Sequence, residues 1–97
     1  MITRLLDSVI LIDHLNGVRE ARNFVLELDP ALTAISVITR AEILSGIEER
    51  TVSGVKILLD YYHLLNIGRE ISDLAAALRR EKRWKLPDAF QAALCIH

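Results

Sequence analysis

Three acidic residues stand where an apolar segment gives way to a helix-like one: Asp7 in LLDSVILID, Glu42 in SVITRAEIL and Asp88 in LPDAFQAAL. In an open α/β fold such junctions fall on the sheet edge where ligands bind, at the carboxyl ends of strands and the starts of the next helices. Carboxylates crowded there repel one another unless a cation joins them. Oxygen-only donors suit a hard divalent ion such as Mg²⁺ or Mn²⁺, so the chemistry indicated is metal-dependent. Each acid also has a plain structural reading. Asp7 suits an N-cap, Glu42 the far half of a capping box with Thr39, and Asp88 the positive end of a helix. The coincidence of three acids at three matching junctions is what favours chemistry. Asp13, Asp60 and Asp73 fall on helical faces and read as solvated.

The elements that must position these acids alternate between strand and helix. Ile2 to Leu6 is short and mostly apolar, as a buried strand requires. Asp7-Ser8 then starts a helix over Val9–Leu15, which Asn16-Gly17 ends. Val18, Ala21, Val25 and Leu28 recur at helical spacing until Asp29-Pro30 stops them. Ala34 to Ile38 is a β-branched run and the best strand in the chain. Thr39 is the expected N-cap of the helix holding Glu42, Ile43, Leu44 and Ile47, and Gly46 weakens its end. Val55, Leu58, Leu59 and Tyr62 mark another amphipathic helix, and Leu64 to Ile67 a third strand closed by Gly68. Arg69 to Arg83 is the longest helical pattern, with Ile71, Leu74, Ala75 and Leu78 on one face. Pro87 suits a first turn, and a last helix from Asp88 turns Phe90, Ala93 and Leu94 inward. Strands alternating with helices imply parallel βαβ units and an α/β fold.

The chain has 97 residues, which bounds it to a single domain. Hydrophobic residues make up 52% and charged residues 26%, a balance that folds rather than stays disordered. The net charge of −1 excludes a polycation that binds nucleic acid by bulk charge. It leaves room for a local basic strip, and Arg79, Arg80, Lys82, Arg83 and Lys85 form one around Trp84. Such a strip steers a polyanion and offers a ring on which a base can stack, or else it is a solvated helix end whose cations suit the dipole. Arg40, two residues from Glu42, either holds a phosphate or pairs with an acid.

His14, His63 and His97 show no ligand spacing and read as surface or half-buried residues. Cys95 is the only cysteine, which excludes an intrachain disulfide and a cysteine-based zinc site and fits a reducing cytoplasm. Asp7 and Asp13 interrupt any signal-peptide core, and no apolar run approaches the roughly 18 residues that span a bilayer. A cytoplasmic protein with no membrane role is expected. Phosphate-cradling glycine loops and a nucleophile elbow are both absent from the sequence. No repeat or linker divides it.

Taken together, three segments resemble the signatures of the PIN-domain ribonucleases, specifically the VapC-type toxins of type II toxin-antitoxin systems. LLDSVILIDHLNG is similar to their apolar strand followed by Asp-Thr/Ser-Asn-Val-Leu-Ile-Asp. AISVITRAEILSGI is similar to their strand and Thr-x-Ala-Glu-Leu-x-x-Gly, and KLPDAFQAAL to Pro-Asp-Ala-x-x-Ala-Ala. Order and spacing agree over nearly the whole chain. The resemblance implies a PIN-like three-layer α/β/α fold with a parallel sheet, and metal-holding acids at Asp7, Glu42 and Asp88. Ser8 occupies the supporting hydroxyl position. Val9 departs from the usual Asn, which removes a side chain able to hydrogen-bond a metal-holding acid.

A larger departure lies at the end. Ala93-Leu94-Cys95-Ile96-His97 runs within an apolar helical pattern that carries no stop signal. The family adds a strand, Thr-Arg-Asn/Asp and a fourth acid beyond it. The expectation is a PIN-like domain over residues 1–97, incomplete at its C-terminal side, with an exposed first-strand edge, weak metal binding and either edge association or marginal stability.

The resemblance implies a Mg²⁺- or Mn²⁺-dependent endoribonuclease toxin that cleaves RNA phosphodiesters with activated water, on a tRNA or rRNA class of substrate. Arg40, Arg83, Trp84 and Lys85 are its candidate RNA contacts. A VapB-type antitoxin and a homodimer are the implied partners. The alternative is a catalytically inactive PIN remnant that acts as an antitoxin- or RNA-binding module.

Overall fold

The structure is a computed structural model, and it describes residues 2–96. They form two compact units, Met1–Leu65 and Asn66–His97. The first holds a three-stranded sheet in the order β1-β2-β3: β1 Arg4–Leu6, β2 Thr33–Ser36 and β3 His63–Leu65. Both pairings are parallel, with Leu6 opposite Ile35 and Ile35 opposite Leu64. Helices α1 Ser8–Leu15, α2 Arg19–Glu27, α3 Val37–Ser45 and α4 Val52–Leu59 connect the strands. Single 3₁₀ turns at Pro30–Leu32 and Glu49–Thr51 lead into β2 and α4. The expected parallel α/β architecture is therefore present.

The middle strand sets the limits of its neighbours. All of Thr33–Ser36 is buried, as it must be when strands flank both edges and helices cover the faces. The sequence suggested that β2 runs on to Ile38. It stops at Ser36, whose Oγ accepts the Thr39 amide at 3.0 Å and so becomes the N-cap of α3. The cap takes Val37 and Ile38 into the helix despite their β-branched side chains, because strand preference is weaker than a satisfied helix start. The third strand shifts for the same reason. Leu65 is the partner of Ser36, so the ladder ends there and does not reach Ile67. At the other end Thr3 donates its amide to Leu32 O at 2.8 Å, which continues the β1 pairing back toward Ile2.

The first unit packs one core, made of Leu6, Leu11, Ile35, Ile43, Leu59 and Tyr62. β1 lies at the outer edge of the sheet, as the sequence suggested, but Leu6 is 3% exposed and Leu5 half-buried, so most of its apolar surface is covered.

The second unit is a helical pair, α5 Arg69–Lys82 and α6 Leu86–Ile96. Ile71, Ala75, Ala89 and Ala93 form its buried seam, flanked by Leu74, Leu78, Phe90 and Leu94 as helical spacing predicted. Gly68 serves as the N-cap of α5 rather than the end of a strand. α6 starts two residues earlier than expected. Lys85 O accepts the Ala89 amide at 3.0 Å, and Pro87 sits in the first turn, where its missing N–H costs no hydrogen bond.

Two measurements test the first core. Ile35→Ala, at a fully buried central position, is expected to cost about 2–5 kcal/mol in urea unfolding. Burial pushes the Tyr62 phenol above its ordinary pKa, since the phenolate is poorly solvated there. A group raised on folding contributes stability that is complete below its unfolded value, about pH 10, and lost as pH rises through the folded one. Alkaline unfolding of Tyr62→Phe should therefore be shallower than that of the wild type. A Phe variant that loses stability above pH 10 as steeply as the wild type would contradict this.

Candidate functional site

Asp7 follows β1 directly and has extended backbone angles (φ −93°, ψ 169°). Its Oδ1 accepts the Ile10 amide at 3.1 Å, so one carboxylate oxygen satisfies an orphan donor of α1. The other oxygen has no partner among the described residues. Asp7 is exposed at the mouth of a shallow hollow shared with Thr3, Leu5, Leu6 and Ile10. Arg4 and Phe24 line the same hollow, with the guanidinium 5.4 Å from the ring centroid. Ser8, half-buried, is the first residue of α1.

Glu42 is placed differently from expectation. The sequence suggested Thr39 as N-cap and Glu42 as its capping-box partner. With Ser36 as the cap, Thr39 takes the third helical position and Glu42 falls in the second turn, too far along to reach back to the cap. The local pair is instead Ser36 with Thr39: Ser36 Oγ donates to Thr39 Oγ1 at 3.2 Å, and both residues are buried. Glu42 is thereby released from a structural role. Its side chain is exposed and has no hydrogen-bond or ion-pair partner among the described residues, while its carbonyl accepts Ser45 Oγ at 3.0 Å.

Asp88 lies in the first turn of α6, where the helix dipole favours a carboxylate. It is exposed, forms no cap or ion pair among the described residues, and borders a hollow with Trp84, Gln91, Ala92 and Cys95. Within either unit, among the described residues, no three His, Cys, Asp or Glu side chains are gathered as a preformed cage. The donor chemistry nonetheless suits a hard cation. All three acids are water-accessible and oxygen-only, with at least one oxygen uncommitted.

The candidate RNA contacts divide into two groups. Arg40 Nη1 donates to Asp60 Oδ1 at 2.9 Å, so the structure pairs it with an acid that the sequence suggested was merely solvated. With Asp60 64% exposed, this ion pair is worth about 0–1 kcal/mol, small enough to exchange for a phosphate. Arg83, Trp84 and Lys85 are exposed in the connection between α5 and α6. Of the strip, Lys82 alone has a charged partner among the described residues, Glu81 at 3.9 Å. His63 Nε2 is 2.9 Å from Ala31 O. His14 is half-buried, and its Nδ1 has no partner among the described residues. His97 lies outside the described residues.

Sequence reasoning missed the Ser36–Thr39 pair at the carboxyl end of the middle strand, the position from which a parallel sheet presents polar groups. Its signal was available as two hydroxyl residues three apart at a strand end. The neighbouring Val37 and Ile38 hid it by extending the strand pattern.

Among the described residues no helix is long and apolar enough to cross a membrane. Residues 4–97 match the PIN domain, so one family match spans both units. A solved chain described as part of a toxin-antitoxin complex from Klebsiella pneumoniae matches with a TM-score of 0.85 and 34% sequence identity. That likeness covers 95% of this chain and 77% of the other. No match is found among the curated proteins. PIN domains are in general nucleases. The span of the match, with the parallel sheet beneath it, shows that this chain belongs to the PIN-domain family.

Proposed function

We propose that the chain is a divalent-metal-dependent endoribonuclease, the toxin of a VapC-type pair, that hydrolyses RNA phosphodiesters. The observation that carries this reading is the state of the three acids in a chain of PIN type. Asp7, Glu42 and Asp88 each keep a carboxylate oxygen uncommitted, and neither Glu42 nor Asp88 has a hydrogen-bond or ion-pair partner for its side chain among the described residues. Exposed acids without partners are ordinary one at a time. Three at the signature positions of a nuclease family are a donor set.

Asp7, Glu42 and Asp88 would hold Mg²⁺ or Mn²⁺. Such an ion supplies Lewis acidity, making a water nucleophilic at neutral pH and offsetting charge on the phosphoryl transition state. The protein's part is placement. Asp7 is held by the α1 cap through Oδ1, which leaves its second oxygen for the ion, and Ser8 adds a hydroxyl beside it. Glu42 and Asp88 contribute charge from the second turn of α3 and the first turn of α6. Arg83 and Lys85 draw the RNA backbone in, Trp84 stacks a base, and Arg40 exchanges Asp60 for a phosphate. No side-chain nucleophile is required.

A tRNA or rRNA class of substrate, a VapB-type antitoxin, a homodimer and a cytoplasmic location complete the proposal. The antitoxin is supported by the likeness to a chain described in a toxin-antitoxin complex.

Purified protein with Mn²⁺ is expected to cleave RNA, EDTA to abolish cleavage, and Asp88→Asn to abolish it too. Asp7 allows structure and chemistry to be separated. Asn caps helices as well as Asp does, so Asp7→Asn should change stability by only a few tenths of a kcal/mol while cleavage is lost. Asp7→Ala should lose cleavage and about 0.5–2 kcal/mol of stability besides. Metal-stimulated cleavage that survives both Asp→Asn substitutions would overturn the site. A folded wild-type protein that binds RNA without cleaving it would favour the inactive binding module.

A further inference from the structure

The connection between the last two helices carries more than charge. α5 ends at Lys82, and Arg83 adopts the left-handed conformation (φ 57°, ψ 32°) with its amide donated to Arg79 O at 2.8 Å. It is the only non-glycine with positive φ among the described residues. Glycine is the usual residue at such a helix end, and an arginine there carries steric strain. The dipole of α5 explains cations in its last turn. It does not explain Arg83 and Lys85, which lie beyond that turn, nor an indole placed between them. Trp84 is 41% exposed and forms one wall of an open hollow of about 420 Å³, with Gln91, Ala92 and Cys95 on α6 and Asp88 at its rim. A volume of this size falls in the range of small-ligand sites. A second hollow is lined by Ala76, Arg79, Arg80, Arg83 and Leu86. Within this one unit the chain neighbours Arg83 and Trp84 link a recess walled by three arginines to an aromatic, mostly apolar one.

We propose that the Trp84 hollow is a nucleobase subsite for single-stranded RNA, in which one base stacks on the indole while the flanking backbone lies along Arg79, Arg80 and Arg83. This rests on the nuclease reading and deepens it, because the subsite borders Asp88 and so selects which phosphate is presented for cleavage. Charge complementarity identifies the occupant. Residues 79–85 hold five cations against one acid in a chain whose net charge is −1, and four of those cations have no ion-pair partner among the described residues. An unpaired base, unlike a duplex, can leave its neighbours and enter a recess of this kind.

The chain carries its own reporters, since Trp84 is its only tryptophan and Cys95 its only cysteine. With EDTA present to prevent cleavage, the full chain should be titrated with a short unstructured oligoribonucleotide. The expected result is saturable quenching of Trp84 fluorescence and slower alkylation of Cys95 by a maleimide. Trp84→Leu should weaken binding roughly ten- to hundred-fold, the range that base–aromatic stacking supplies. Arg83→Gly should relieve the strained cap, leaving the fold as stable or more so, and yet bind RNA more weakly. Duplex RNA should bind the wild type and Trp84→Leu alike.

Equal affinity of Trp84→Leu and wild type for the oligoribonucleotide would overturn the subsite, as would equal quenching by poly-glutamate, which offers charge and no ring. Failure here is distinguishable from failure of the nuclease reading. Mn²⁺-dependent cleavage lost in Asp7→Asn, without Trp84 quenching, refutes the subsite alone. Quenching without any cleavage supports the subsite and refutes the enzyme.

Discussion

Ser36 ends the middle strand with a side-chain oxygen that accepts one amide of the next helix and a hydroxyl hydrogen that bonds to Thr39. Nearly every placement in the first unit follows from that turn. β2 is buried from end to end, so its backbone must pass from ladder to helix without leaving a polar group unpaired. A cap that closes within three residues achieves this inside the core, where a longer loop would carry unsatisfied amides. It fixes the last rung of β3 at Leu65, and it sets the phase of α3 so that Ile43 enters the core with Leu6 and Ile35. It also turns Glu42 outward. A helix begun at Thr39 would have placed Glu42 three residues into its first turn and committed the carboxylate to the cap.

The acids thus differ in what the fold asks of them. Asp7 does structural work with one oxygen, and the amide it accepts holds the carboxylate in one orientation. Glu42 accepts no cap amide, and Asp88 does no more than place its charge in the first turn of α6, where the dipole favours it. In a chain with 13 acidic residues, an exposed acid costs little and implies little. The inference rests on the set, and on its occurrence in a chain of the PIN family, rather than on any one carboxylate.

Much of this architecture was legible in the sequence because the signals were local. Helical spacing located α2 and α5 within two residues of their ends, and Asp7 was recognisable as a cap before any contact was known. The errors share one origin. AISVI reads as a continuous strand, and only the cost of an uncapped helix end inside a buried segment shows that it must break at Ser36. Leu64–Ile67 failed for a related reason: a strand lasts only as long as its partner, and the length of β2 was not a local property. Ile67 instead joins the apolar group packed with Ile71 and Ala75. For the site, the sequence identified the acids but not their engagements. The Arg40–Asp60 pair spans twenty residues and depends on how α3 meets the end of α4, which no spacing within either helix encodes.

A nuclease of this composition has to reconcile two electrostatic demands. Carboxylates that could hold a cation also repel the polyanion to be cut, and a chain with net charge −1 supplies no general attraction. The local solution is segregation along the sequence. Five of twelve Lys and Arg residues fall within residues 79–85, immediately before the helix that carries Asp88. At physiological salt, fields from exposed charges decay over about 8 Å, so only cations held within about that distance do much for a phosphate near Asp88. The same screening explains why an aromatic ring belongs in the strip. Charge draws a phosphate backbone close but holds it in no register, whereas a stacked base is positioned by contact. On this reading Arg83 is kept in a conformation that glycine would adopt with less strain, because glycine would relax the backbone and remove the guanidinium from the entrance of the recess.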